Sequence, residues 1–156
     1  MRVTETTGTT RSEGFSHESF CSLRIFSQEL TAADIVASLS LKPTRQWTKG
    51  EIRTSPSGRV LDGVWENTYV TFRLMDGQRI GLADALSSCV RQLKDLASAL
   101  GKLRQSGAKT ELFVGWFLDQ DSGDALPSDL LMALSSLGLD LSLDVYTANT
   151  PGRAPP

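Results

Sequence analysis

A short polar segment, residues 119–124, carries the side chains best suited to metal binding or acid–base chemistry. Three carboxylates surround Gly123 there, those of Asp119, Asp121 and Asp124. Carboxylates at alternate loop positions are typical ligands of Ca²⁺ and Mg²⁺. The segment lacks the distal glutamate of a calcium loop, and Asp and Gly are also common in solvated turns. A divalent-metal or small-molecule site, or an enzyme that uses this loop, is therefore the alternative interpretation.

A second segment, residues 41–51, sets Trp47 among basic side chains that include Arg45 and Lys49. An arginine beside an aromatic face is suited to stacking the bases of a single-stranded nucleic acid. Nucleic acid is nevertheless disfavoured as a partner, because the net charge is −2 and Trp47 is the only aromatic residue of the run. We expect Trp47 to pack over a sheet edge, and we place Trp65 with this patch as a candidate binding residue.

Nucleophilic and histidine-dependent chemistry has little support in the sequence. His17 is the only histidine, and it lies in a polar N-terminal stretch. Ser-His-Asp and Cys-His catalysis both need a rigidly placed imidazole. Cys21 and Cys89 are the only cysteines, so we expect them to be reduced packing residues rather than part of a disulfide framework. We therefore expect no enzyme activity and no cofactor.

The charged residues are segregated along the chain. Residues 42–59 carry five basic residues against Glu51 alone, whereas residues 111–146 carry seven acids and no Lys or Arg. Complementary charge steers two proteins toward each other. An acidic face, formed by the last third of the chain and engaging a basic partner, is therefore the leading hypothesis. The sequence leaves open whether the two segments pair with each other.

Periodic patterns predict the elements that must position these residues. Alternating or continuous apolar runs predict strands over residues 20–27, 45–53, 63–74, 112–118 and 139–146. Thr31 and Asp34 predict a capped helix that ends before Pro43. A leucine stripe predicts one helix of nearly six turns over residues 82–107, and a third helix follows over residues 127–137. Asp76-Gly77 predicts a turn.

This order of elements predicts an α+β fold. Its core is a ferredoxin-like βαββαβ unit with an added C-terminal helix and strand, in which helices pack on a mostly antiparallel sheet. We expect one domain over residues 19–146, with disordered polar segments at residues 1–18 and 147–156. No stretch approaches the roughly 18 apolar residues of a membrane helix, and no secretory signal is evident, so we expect a soluble cytoplasmic protein.

Residues 21–146 resemble a bacterial domain family of unknown function, numbered 4279. The segments that carry the resemblance are the first strand, the Thr31-initiated helix ending in Leu39-Ser40-Leu41-Lys42-Pro43, the run Trp47-Thr48-Lys49-Gly50, Trp65, Leu137-Gly138-Leu139-Asp140 and Asp144-Val145-Tyr146. The resemblance implies a small bacterial cytosolic domain with no agreed activity and no catalytic residues to transfer. Some relatives lie in toxin-immunity contexts, which implies protein binding.

The leading functional hypothesis is a non-enzymatic protein-binding module, in its most concrete form an immunity-type protein that occludes a basic partner. The candidate binding residues are Trp47, Lys49, Arg45, Trp65, Asp119, Asp121 and Asp124. A homodimer, formed through the long helix or an exposed sheet edge, is left open.

Overall fold

The computed structural model describes residues 17–118 and 123–147, which form seven strands and four α-helices. In chain order these elements are β1 (His17–Ser27), α1 (Ala32–Leu39), β2 (Arg45–Trp47), β3 (Ile52–Thr54), β4 (Val60–Val64), β5 (Thr68–Gln78), α2 (Leu82–Leu93), α3 (Ala97–Gln105), β6 (Lys109–Leu118), α4 (Ser128–Ser136) and β7 (Asp140–Thr147). Five strands form one sheet in the order β2-β5-β1-β6-β7, and β3 pairs with β4 in a separate two-stranded sheet.

The central strand β1 places its side chains alternately in two environments. Cys21, Leu23 and Ile25 are completely buried and belong to the hydrophobic core that the helices share. Ser22 and Arg24 lie between them and stay partly exposed. Successive side chains of a strand point to opposite faces of its sheet. One face of the sheet is therefore covered by helices, and we call the other the open face.

The predicted α+β class is confirmed, with helices packed on a mostly antiparallel sheet. Strand β1 is antiparallel to both β5 and β6, and β2 is antiparallel to β5. The added C-terminal helix and strand are α4 and β7, and β7 runs parallel to β6. The finer ferredoxin-like assignment stays a prediction.

The region between α1 and α2 differs from the prediction. The single strand expected over residues 45–53 is two strands, β2 and β3, which belong to different sheets. The strand expected over residues 63–74 is divided between β4 and β5. The cause is a turn at Gly50, which has a φ of +87° and donates its N–H to the Trp65 carbonyl over 2.8 Å. This turn sends β3 and β4 out as a hairpin, which we call the hairpin arm.

The prediction of one continuous helix over residues 82–107 is also wrong. It is divided into α2 and α3 by a 3₁₀ turn over Lys94–Leu96. The leucine stripe survives the break, since Leu86, Leu93 and Leu100 are all buried. A 3₁₀ turn has fewer residues per turn than an α-helix, so it changes the direction in which the following side chains point. Among the described residues, no helix is long and apolar enough to span a membrane.

Strand β1 begins earlier than predicted. His17 was expected in a disordered extension, but it is the first residue of β1 and pairs with Leu118 of β6. Its ring makes an edge contact with Trp116, with 5.6 Å between the ring centroids. The rest of the predicted N-terminal extension, residues 1–16, and the tail from residue 148 lie outside the described residues.

The Asp76-Gly77 pair, predicted as a turn, lies inside β5. The register between β1 and β5 shifts on either side of Cys21, opposite this part of β5, as in a bulge. Gly77 has a φ of +58°, and a Cβ there would lie 2.6 Å from Glu18 Oε1 and 3.1 Å from the Phe20 ring. A long strand thus continues through the pair because Gly77 accepts a left-handed conformation.

We expect Gly77→Ala to destabilise the protein by about 1–3 kcal/mol, because the new methyl group meets Phe20 and the backbone is strained at positive φ. The free energy of unfolding in urea measures this loss. Gly101→Ala is the matched control, since Gly101 lies in α3 with open space around it and no positive φ. The control should keep or slightly raise stability. Equal losses of stability in the two variants would contradict the left-handed, closely packed position of Gly77 inside β5.

The predicted N-terminus of α1 is confirmed, with a complete capping box. The Asp34 N–H donates to Thr31 Oγ1 over 3.2 Å, and the Thr31 N–H donates to Asp34 Oδ2 over 3.1 Å. The Thr31 hydroxyl also donates to Asp34 Oδ2 over 2.6 Å. The hydroxyl bond and then the backbone bond hold the pKa of Asp34 below its ordinary value.

A lowered carboxyl pKa stabilises the fold above the unfolded-state pKa, and this contribution is lost as the pH falls through the folded-state pKa. We therefore expect wild-type protein to lose stability below about pH 4 more steeply than Asp34→Asn. Urea unfolding at pH 7 and in this acid range measures the difference. Identical acid losses in both proteins would show that the capping box is not coupled to Asp34 ionisation.

Candidate functional site

The stacked indole rings of Trp47 and Trp65 form the centre of the site. Their centroids are 4.0 Å apart with 15° between the ring planes, and the Tyr69 ring lies 4.5 Å from Trp47. The guanidinium of Arg45 lies 5.0 Å from the Trp47 ring, and that of Arg53 lies 5.3 Å from the Trp65 ring. Each aromatic pair contributes about 0.5–1.5 kcal/mol beyond its buried area. We call the two indoles the tryptophan ridge.

A turn over residues 48–51 holds the ridge against the domain. The Ala32 N–H at the start of α1 donates to Thr48 Oγ1 over 3.1 Å. The Lys49 N–H donates to Thr68 Oγ1 over 3.0 Å, and Thr68 is completely buried at the start of β5. The turn is therefore tied to a helix and to a central strand, so Trp47 is presented from a fixed backbone.

Three cavities meet at the ridge, and Trp47 lines all of them. The first, of about 400 Å³, lies on the open face among β1, β2 and β5, and we call it the open-face cavity. The second, of about 500 Å³, lies beside Trp65 and Arg53. The third, of about 760 Å³, lies between β2 and the hairpin arm. Volumes of this size are typical of ligand sites.

The lining of the open-face cavity combines cations, hydroxyls and aromatic rings. The residues are the arginines Arg24, Arg45 and Arg73, the hydroxyl residues Ser22, Thr44 and Thr71, and the aromatic residues Phe26, Trp47 and Tyr69. No carboxylate lines it among the described residues. Arginine donates five N–H groups in a fixed planar fork, so the cavity is suited to a planar anion beside an apolar group.

Two nitrogen donors at the site lack a hydrogen-bond partner among the described residues. They are Nε1 of Trp47 and Nε of Arg24, and both atoms are buried. A buried donor without a partner costs about 1–3 kcal/mol. Such donors are rare in native proteins, and both of these belong to residues that line the open-face cavity.

The hairpin arm beside the ridge exposes apolar side chains. Ile52, Val60 and Val64 are 64%, 68% and 51% exposed. An isolated two-stranded hairpin is marginally stable in water, and clustered exposed apolar residues mark interaction surfaces. The arm and the ridge together form a surface with an apolar side and an arginine-rich side.

The structure brings together three of the predicted binding residues, Trp47, Arg45 and Trp65. Lys49 lies in the same turn, but its Nζ donates to the Gln28 carbonyl over 3.4 Å and its side chain lines none of the three cavities. Trp47 was expected to pack over a sheet edge, and it lies on β2, which is itself an edge strand.

The acidic loop is only partly described. Asp119 and Asp121 lie outside the described residues. Asp124 has a local structural role, since its Oδ2 accepts the Ala83 N–H over 2.9 Å in the first turn of α2. Its Oδ1 accepts the Ala125 N–H over 2.8 Å. Within residues 17–118 and 123–147, no group of three or more His, Cys, Asp or Glu side chains is placed to hold a metal ion.

The basic and acidic segments lie at opposite edges of the sheet. Strand β2 of the basic segment forms one edge, and β7 of the acidic segment forms the other. The ion pairs of the acidic segment that the described residues contain come from Arg24 and Lys109, which pair with Glu111 and Asp140. The sheet order therefore keeps the two charged segments apart.

The site also contains residues that the sequence analysis did not select, namely Arg24, Phe26, Tyr69 and Arg73. They lie on β1 and β5, and they alternate with the buried core positions of those strands. That alternation was visible in the sequence, but the pairing of β1 with β5 was not. The alternation shows that these side chains lie on the face opposite the core, but only the strand order shows that they lie side by side.

The two cysteines are buried in the core, as predicted, and both are free thiols. Cys21 lies on β1 and Cys89 on α2. A hydrogen bond with Cys21, together with burial, raises the pKa of the Cys89 thiol. The thiolate is the nucleophilic form, so Cys89 is unsuited to nucleophilic chemistry at neutral pH.

A family model described as a domain of unknown function, DUF4279, matches residues 17–148. The chain belongs to this family. The match begins where β1 begins and ends one residue after β7, so the DUF4279 domain includes the ridge, the hairpin arm and the open-face cavity. No curated protein and no solved structure matches the chain.

The ridge predicts a specific optical signature for this DUF4279 domain. The chain has three tryptophans, and Trp116 lies apart in the helix-side core. Two closely stacked indoles couple electronically, so we expect an exciton couplet in the far-ultraviolet circular dichroism of the wild-type protein. Trp47→Phe and Trp65→Phe should each abolish the couplet, whereas Trp116→Phe should retain it. A couplet that survives in either ridge variant would contradict the stack.

Proposed function

We propose that this DUF4279 domain is a non-enzymatic protein-binding module that holds a segment of a partner against the tryptophan ridge. The observation that carries the proposal is the stack of Trp47 on Trp65 between an exposed apolar hairpin and an arginine-lined cavity. Binding hot spots of protein interfaces are enriched in Trp, Tyr and Arg and lie beside well-packed pockets. The ridge, Tyr69 and Arg45 have this composition.

The hairpin arm favours a protein over the other classes of partner. A small molecule that fills a cavity would leave the exposed side chains of Ile52, Val60 and Val64 in water. A single-stranded nucleic acid stacks its bases on aromatic rings and pairs its phosphates with cations, but it leaves the exposed apolar side chains of the arm uncovered. A protein segment covers both the apolar arm and the ridge.

The charge of the ridge surface indicates the chemistry of the partner. Arg24, Arg45, Arg53 and Arg73 all line the cavities at the ridge. An acidic segment complements these side chains, and complementary charge raises the association rate. The predicted acidic face, which would engage a basic partner through Asp119, Asp121 and Asp124, stays a separate prediction.

In its most concrete form the module is an immunity-type protein of the cytoplasm, which works by covering a functional surface of its partner. Such a role needs a rigid preformed anchor and no catalytic group. The ridge meets the first condition, because the turn over residues 48–51 is bonded to α1 and β5. Preformed anchors reduce the entropy lost on binding.

The test is capture of a partner from the lysate of the native host by three forms of the tagged protein: wild type, Val60→Asp and Met132→Asp. Val60 and Met132 are 68% and 65% exposed, on the hairpin arm and on α4 respectively. We expect wild type and Met132→Asp to capture the same stoichiometric protein, identified by mass spectrometry. Val60→Asp should lose it, because the substitution places a charge on the apolar arm without disturbing the core.

Trp47→Ala provides a second variant, and we expect its affinity for the purified partner to fall by at least about tenfold, since truncation of a hot-spot tryptophan costs about 2 kcal/mol or more. Titration calorimetry with the purified partner measures this loss. Equal capture by wild type and Val60→Asp, together with unchanged affinity in Trp47→Ala, would show that the partner binds elsewhere.

A further inference from the structure

We propose that the open-face cavity is a carboxylate seat, which takes an Asp or Glu side chain that the partner presents beside an aromatic or apolar residue. This inference rests on the proposed function and adds the chemical group that is recognised. It is carried by the position, pairing and charge of the cavity's own side chains.

Two of the three arginines of the cavity are already held in place. The Arg24 guanidinium lies 3.3 Å from the centroid of the Phe113 ring and 3.7 Å from Glu111 Oε1. Arg73 Nη1 lies 2.8 Å from Asp76 Oδ1. Side chains that are fixed before binding lose less conformational entropy when a ligand arrives. The cavity therefore presents oriented cationic donors rather than mobile ones.

The third arginine supplies the charge that its surroundings leave uncompensated. Arg45 forms no ion pair with the described residues. Arg24 shares Glu111 with Lys109, whose Nζ lies 3.3 Å from Glu111 Oε2 and 3.9 Å from Asp140. With Arg73 matched by its own carboxylate, one positive charge remains in excess. A carboxylate carries one negative charge, whereas a phosphate monoester carries about two near neutral pH.

Hydroxyl groups complete the donor set. Thr44 Oγ1 accepts the Arg73 backbone N–H over 3.0 Å, so its hydroxyl hydrogen remains available to donate. Ser22 and Thr71 lie in the same lining. A carboxylate offers two oxygens with about four acceptor positions, which a forked guanidinium and neighbouring hydroxyls fill.

The aromatic wall selects what accompanies the carboxylate. Phe26, Trp47 and Tyr69 line the cavity, and Trp47 and Tyr69 also contact each other. Aromatic faces pack well against other rings and against aliphatic stems. A cavity of about 400 Å³ is large enough for one ring with a short acidic arm.

Phenylacetate is a suitable probe because it joins one ring to one carboxylate. The experiment titrates it into the full-length protein at constant ionic strength and follows the N–H resonances of the Trp47 indole and the Arg45 side chain. Phenylacetamide is the neutral control of the same shape, and phenyl phosphate is the doubly charged one. We expect saturable shifts with phenylacetate and weaker ones with both controls.

Two variants locate the interaction. Arg45→Gln removes the uncompensated charge, and we expect it to weaken phenylacetate binding by about tenfold or more, because the carboxylate loses a charge-assisted hydrogen bond. Lys42→Gln removes an exposed charge of the same sign that does not line the cavity, and it should bind as wild type does. Both substitutions are at exposed positions, so circular dichroism should show an unchanged fold.

An equal response to phenylacetamide, tighter binding of phenyl phosphate, or full binding in Arg45→Gln would each overturn the carboxylate seat. These results are separable from failure of the proposed function. A seat that binds phenylacetate, combined with capture that survives in Val60→Asp and Trp47→Ala, would support the seat and reject the protein-binding role of the ridge. Loss of capture in Val60→Asp and Trp47→Ala, combined with no binding of phenylacetate, would support the protein-binding role of the ridge and reject the carboxylate seat.

Discussion

The structure depends on the two-faced character of β1. Because alternate side chains of a strand point to opposite faces, Cys21, Leu23 and Ile25 all enter the helix-side core while Ser22 and Arg24 face the opposite side. Fully burying an aliphatic side chain contributes about 1.5–3 kcal/mol, so the register of β1 is fixed by its core positions. The same register fixes which side chains of β1 lie on the open face. The backbone positions of its arginines and aromatic rings on β1 and β5 are therefore set by the buried residues that alternate with them.

A second constraint is the set of hydrogen bonds around the turn over residues 48–51. It joins the N-terminus of α1, the buried hydroxyl of Thr68 and the Trp65 backbone. The ridge therefore belongs to the rigid part of the domain, although it lies at a sheet edge. The hairpin arm projects from the same turn with its apolar side chains in water. A rigid anchor beside an incompletely packed arm is the arrangement expected of a surface that a partner completes.

The strand order determines where the basic and acidic segments of the chain lie in the domain. The basic segment contains β2 and the acidic segment contains β6 and β7, and three of the five strand positions separate β2 from β7. The domain is thus basic at one edge and acidic at the other. Between these two edges, on β1 and β6, the Glu111 carboxylate pairs with both Arg24 and Lys109. Together with Asp140, which lies 3.9 Å from Lys109, Glu111 balances these two cations and leaves Arg45 as the arginine of the open-face cavity without an ion pair among the described residues.

The sequence by itself determined the fold class, the capping box of Thr31 and Asp34 and the buried cysteines, because these follow from local periodicity, local hydrogen bonds and residue type. It also selected Trp47, Arg45 and Trp65 as candidates, and the structure places these three residues together. It did not determine that Trp65 stacks on Trp47, that Arg24 and Arg73 share a cavity with Arg45, or that Gly77 continues a strand. Those outcomes depend on which strands are neighbours. Strand pairing is a contact between distant segments, so only the tertiary structure decided it.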